Sequence, residues 1–197
     1  MAAEAERRQA AVLYAELRNF TRLSEALPPG KVLELANEFF VFCASAVAAH
    51  KGKVLSVQND ALLAAFAGAS PKDFAERSVN AARDLQRDFG TLGDAWHAQY
   101  GLPAALACAV HLGEAVFGMA GPAGARQFVA LGDCVSVAER LVHRARAGEV
   151  IVSAEVMDAL GPVAASLGAQ EVPPLQLVKR APIRLYGIVL ETRLDFT

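Results

Sequence analysis

The chain has 197 residues, enough for one core of the size that domains of roughly 100 to 200 residues bury. With 54% hydrophobic and 20% charged residues it lacks the polar, charge-rich composition that keeps a chain disordered. Nineteen basic against 21 acidic side chains give a net charge of −2, which excludes a field that gathers polyanions regardless of sequence, so no nucleic-acid partner is expected.

The opening MAAEAERRQA is charged and alanine-rich and has no apolar core of a secretory signal, so residues 1–9 read as an N-terminal extension and export is not expected. Residues 10–190 read as the domain proper and 191–197 as a tail. Ala10 to Leu17 is a short apolar run ending at Arg18-Asn19, which predicts a buried strand. From Lys31 to Ala49, Val32, Leu35, Ala36, Phe39, Cys43, Ala46 and Val47 recur at three- and four-residue intervals, predicting an amphipathic helix started by Pro28-Pro29-Gly30. Val54 to Val57 and Ala61 to Phe66, parted by Gln58-Asn59-Asp60, predict a hairpin.

Ser70 and Pro71 are an N-cap and first-turn proline for a second long helix, which Gly90 is expected to end. Leu102 to Leu112 and Glu114 to Met119 read as two strands around Gly113, and Ala125 to Leu131 as a third. Asp133 is expected to cap a helix running to about Ala147, with Arg144 and Arg146 opposing its dipole and Gly148 just beyond its end. Glu149 to Val152 returns to the sheet; a short helix, a Pro173-Pro174 link and the alternating segment Ile183 to Leu190 complete the chain. The hairpins and close strand pairs predict an α+β fold, a ferredoxin-like, mostly antiparallel sheet with helices packed on it.

Cys43, Cys108 and Cys134 are odd in number, far apart and set in apolar surroundings, the usage of a reducing compartment. The longest uninterrupted apolar run, Leu102 to Val110, has nine residues, whereas a membrane span needs about 20, so no membrane contact by this chain and a cytoplasmic location are expected. His50, His97, His111 and His143 show neither metal-ligand spacing nor a partner for a hydrolytic triad.

Three segments in order, AVLYAELRNFTRLSEAL, HKGKVLSVQNDALLAAF and QFVALGDCVSVAERLVHRARAGEVIVS, resemble the class III adenylate and guanylate cyclase catalytic domain. His111-Leu112-Gly113-Glu114, Gly118 and Gly121 add smaller matches between them. The resemblance implies that Glu16, in place of the usual aspartate, and Asp60 hold two Mg²⁺ or Mn²⁺ ions; the residues alone also allow a strand-end charge and a turn aspartate. Two cations suit the reaction because attack of a ribose oxygen on the α-phosphate of ATP or GTP charges both nucleophile and leaving group.

Between them, the resemblance implies that Asn19, Phe20 and Thr21 form a turn near the triphosphate, with Asn19 where glycine is usual and tolerant of left-handed backbone. Ser56 and Val129 stand at the positions of the purine-reading lysine and its acidic or threonine partner, so base recognition by hydrogen bonds is largely lost. Ser136 and Arg140, four apart and hence on one helical face, stand at the positions of the transition-state asparagine and arginine. Lys179 or Arg180 corresponds to a further triphosphate-binding cation.

Sites of this family lie between two head-to-tail subunits, so a homodimer, or a heterodimer with a better-equipped cyclase domain, is implied. Two functions follow from these substitutions: a weak cyclase with relaxed base preference, or a non-catalytic dimerisation, protein-interaction or nucleotide-sensing module on the same fold.

Overall fold

In a computed structural model, residues 5–179 and 181–189 are described. Residues 1–4, Arg180, Leu190 and the tail at 191–197 lie outside them. The elements in chain order are β1 (Glu6–Arg18), α1 (Phe20–Ala26), α2 (Pro29–Ala49), β2 (Lys53–Gln58), β3 (Ala61–Phe66), α3 (Pro71–Tyr100), β4 (Ala105–Ala120), β5 (Gln127–Leu131), α4 (Asp133–Val142), β6 (Glu149–Ser153), α5 (Ala154–Leu160), a 3₁₀ segment at Gly161–Leu167, β7 (Gln170–Leu175) and β8 (Ile183–Val189). The sheet runs β2-β3-β1-β4-β6-β8-β7, with β5 paired to β4 off that path. Every pairing is antiparallel except β4 with β6, which the α4 crossover joins in parallel. The α+β expectation is met.

β1 and β4 form the spine, paired from Glu6↔Phe117 to Arg18↔Ala105. The sheet therefore takes in residues 6–9, which the sequence reading assigned to an extension.

Alternation along β1 divides the core in two. Ala11, Leu13, Ala15 and Leu17 join the cluster containing Leu35, Phe39 and Cys43 of α2 and Phe74, Val79, Leu85 and Phe89 of α3. Ala10 and Val12 pack instead with Cys134 and Ala138 of α4, and half-buried Tyr14 joins the same side. The even-numbered series of β1 thus faces α4, and its last members are Glu16 and Arg18.

Several expectations change. β4 is a single strand of 16 residues, because Gly113 is no turn: a Cβ there would lie 3.2 Å from Cys134 Cβ, so the glycine makes room where α4 seats on the sheet. Nor does Gly90 end α3. Phe89, Gly93 and Trp96 continue its buried stripe, Trp96 Nε1 donates to Glu38 Oε2 at 2.8 Å, and the stop comes at Gly101 with φ 68°. Burying Trp96 outweighs the ~1 kcal/mol that a mid-helix glycine costs.

At the start of α4 the cap is Gly132, φ 137°, and Asp133 is the first helical residue, where its charge still favours the helix dipole. The helix stops at Val142, five residues earlier than expected, as His143 and the following turn take over. Pro173-Pro174 lies inside β7 rather than in a link; β7 is the edge strand and its register shifts between Val172 and Leu175, the setting in which a strand tolerates proline. Finally α2, 21 residues long, is long and apolar enough to cross a membrane by length and composition alone. Its Leu35, Phe39, Cys43 and Val47 are buried in the core, while Leu33 and Val41 lie exposed on its outer face.

Candidate active site

Strand register brings the acidic pair together. Glu16 sits opposite Ala61 at the first position of β3, and the Leu17 amide donates to the Asp60 carbonyl at 2.9 Å, pinning the Asn59-Asp60 turn to the end of β1. Asn59 takes the left-handed backbone, φ 52°, that lets this two-residue turn close. Glu16 and Asp60 line one cavity of about 140 Å³ together with Tyr14, Ser56, Leu63, Glu139 and His143.

Tyr14, Glu16 and Arg18 alternate along the same face of β1, and α4 supplies Glu139 and His143, four apart, across from them. Burial, aided by the Glu139 carboxylate, pushes the Tyr14 phenol up to about 12. The Glu16 side chain is only 12% exposed and both its oxygens face side chains of its own chain: Arg18 pairs with Oε1, and His143 Nε2 lies 3.3 Å from Oε2. Arg18 in turn donates through Nη2 to the carbonyls of Val142 and, at 2.8 Å, Ala145, the C-terminal end of α4.

The remaining predicted residues lie apart from this cavity. Asn19 adopts the left-handed conformation expected of it, φ 67°, and its Nδ2 donates to the Pro103 carbonyl at 3.3 Å. Phe20 packs against the core and Thr21 is exposed. Val129 is half-buried opposite Gly118, while Ser136 and Arg140 are exposed on the open face of α4. Lys179 is exposed in the turn before β8 with φ 62°, and Arg180 lies outside the described residues. Of Ser56 and Val129, the two positions at which the resemblance implies base reading, Ser56 shares a cavity with the acidic pair and Val129 does not line it.

Tyr14, Glu139 and His143 had no place in the cavity from sequence, nor did Arg18 as the partner of Glu16. The signal was available: alternate residues of β1 share a face, and 139 and 143 share one on α4; what was missing was which face of α4 met β1.

Residues 3–187 match the family described as the Adenylate and Guanylate cyclase catalytic domain. The chain belongs to that family. It is 30% identical over 137 residues to Adenylate cyclase 1 of Rhizobium meliloti (strain 1021), covering 68% of this chain and 20% of that protein. It is equally 30% identical over 182 residues to the Photoactivated adenylate cyclase subunit alpha of Euglena gracilis, covering 90% of this chain and 17% of that one. The chain therefore spans about a fifth of the length of these relatives. Among solved structures, the adenylyl cyclase CyaB from P. aeruginosa superposes with a TM-score of 0.86 at 21% identity, over 98% of this chain and all of that one. The class III cyclase domain is thus both the family and the fold.

Carboxylate oxygens are the donors Mg²⁺ and Mn²⁺ prefer, and Mg²⁺ is commonly held by one or two carboxylates together with substrate phosphates. Glu16 and Asp60 suit that habit. Among the described residues no group of three or more His, Cys, Asp or Glu side chains is placed to hold an ion.

Proposed function

We propose that this domain is a low-turnover cyclase unit that converts ATP or GTP into a cyclic nucleotide and pyrophosphate with little preference between the bases. The observation that carries it is the convergence of Glu16 and Asp60 on one cavity whose purine-reading position is Ser56. Glu16 and Asp60 would hold two divalent ions, which supply charge stabilisation to the attacking and leaving oxygens when bound.

The chain's own groups do the rest. The Asn59-Asp60 turn, tied to Leu17, fixes one carboxylate relative to the other. Arg140, on the open face of α4, offers its guanidinium fork to a phosphate oxygen, and Ser136 beside it is a shorter donor than the asparagine it replaces. Loss of one well-placed donor to developing charge costs on the order of 10²- to 10³-fold in rate. Val129 offers no hydrogen bond to a base at all.

Because Ser136 and Arg140 are exposed on α4 and are not among the residues that line the acidic cavity of their own chain, the reading includes a second subunit that presents them to it, head to tail: another copy, or a cyclase domain with a fuller set of base-reading residues. The three buried free thiols support a reducing, cytoplasmic setting for the unit. The test is to incubate the protein with ATP or GTP and Mn²⁺. Cyclic nucleotide that disappears in Asp60→Ala is expected; its absence from the native protein would refute the catalytic reading.

One observation favours a second reading, a non-catalytic module: both Glu16 oxygens already face side chains of the chain itself, Arg18 and His143. Calorimetry separates the two, since the module reading predicts no Mn²⁺-dependent heat with either nucleotide.

A further inference from the structure

We propose that Arg18 and His143 form an intrachain lock on Glu16, and that a divalent ion enters the cavity only by opening it, which releases the last turn of α4. The inference rests on the metal-holding reading of Glu16 and Asp60 and adds to it what controls loading.

The lock is assembled from three elements. Arg18 lies two residues after Glu16 on β1, hence on the same face, and its side chain is only 24% exposed. Its guanidinium reaches the Glu16 carboxylate on one side and the Val142 and Ala145 carbonyls on the other. Those carbonyls are at the negative end of α4, where a cation is stabilised by the helix dipole as well as by hydrogen bonds. From the other side, His143, the first residue past α4, approaches Oε2 while Arg18 takes Oε1. Among the described residues no hydrogen bond or ion pair reaches the Asp60 carboxylate: the acidic pair is asymmetric, one member tethered to α4 and the other positioned through its backbone.

A divalent ion needs at least one Glu16 oxygen. The oxygen easier to free is Oε2, since His143 is 60% exposed and withdraws into solvent at little cost, whereas Arg18 is anchored at both ends. A cation beside Glu16 also repels the guanidinium from the carboxylate, loosening its hold on the α4 carbonyls. The helix so loosened carries Ser136 and Arg140, so metal loading and the mounting of those two side chains are coupled. Arg18 and His143 are positioning residues in this account; neither touches substrate.

The test reads Mn²⁺ binding directly, from loss of the free-ion electron paramagnetic resonance signal, in the native protein, His143→Ala, Arg18→Gln and Asp60→Ala, all without nucleotide. With Glu16 Oε2 no longer faced by the imidazole, His143→Ala should bind Mn²⁺ about two- to five-fold more tightly. Arg18→Gln should bind more tightly still. In the native protein Mn²⁺ should also accelerate amide hydrogen exchange at residues 143–145, whose amides close the end of α4, and it should not do so in Asp60→Ala. His143→Ala binding Mn²⁺ equally well or less well, or unchanged exchange at α4 in the native protein, overturns the lock while leaving the metal site standing. Mn²⁺ held by none of the four proteins overturns the lock, and if Mn²⁺-dependent binding of a non-hydrolysable ATP analogue is missing as well, the metal reading falls with it.

Discussion

The two walls of the catalytic unit have fared differently. On the β1–β3 side, where the resemblance singles out Glu16 and Asp60, backbone pairing between Glu16 and Ala61 and between Leu17 and Asp60 fixes where the two residues sit. On the β5–α4 side, the scaffold is equally regular, yet of the positions that the resemblance singles out there Val129 has an apolar side chain and Ser136 only a short hydroxyl. The difference teaches that the strand-end geometry is retained by the sheet itself, whereas residues on the outer face of α4 are free to change because no packing depends on them: Cys134, Val137, Ala138 and Leu141 hold the helix down, and Ser136 and Arg140 do not.

That contrast can be broken first at Asp60. Asp60→Ala removes a carboxylate without touching the carbonyl that receives the Leu17 amide, so the fold should survive while Mn²⁺-dependent cyclic nucleotide formation falls at least about 10³-fold. An equal loss of thermal stability would show instead that Asp60 is structural. Ser136→Asn sharpens the contrast from the other side: with the longer amide restored, turnover should rise by up to about 10²-fold with little change in KM, measured as cyclic nucleotide released.

Between the two walls stands Gly113, where a Cβ would press on Cys134 at 3.2 Å. Gly113→Ala should cost about 1–3 kcal/mol in a urea melt, and more activity than stability if α4 tilts rather than the strand bending. The smallest effect concerns Tyr14, whose phenol is pushed up to about 12 by burial and Glu139. Below pH 10 it is neutral folded or unfolded and contributes no slope. Between about 10 and 12 the unfolded chain loses that proton and the folded one keeps it, so stability falls as pH rises. Tyr14→Phe should flatten that part of the melting curve.

Much of this arrangement was legible beforehand. Apolar alternation in β1 and the Ser70-Pro71 start of α3 gave their elements, and the ordered family segments gave the acidic pair. The glycines misled, because Gly90 and Gly113 were read for backbone freedom when packing decides both: one lies within a helix whose buried stripe continues to Trp96, the other lies under Cys134. Pro173-Pro174 misled likewise, since an edge strand spares the proline nitrogen a partner. Glu139 and His143 stayed hidden for a different reason. Their meeting with Glu16 depends on the rotation of α4 over β1, a tertiary fact that local periodicity does not contain.

The central claim is that two carboxylates from separate strand ends act as one divalent-ion site for a nucleotide. Isothermal titration of a non-hydrolysable ATP analogue, with and without Mn²⁺, into the native protein and Asp60→Ala tests it most directly. Binding that needs both Mn²⁺ and the Asp60 carboxylate is the predicted result; nucleotide heat that is the same without the ion, or unaltered in Asp60→Ala, would contradict it.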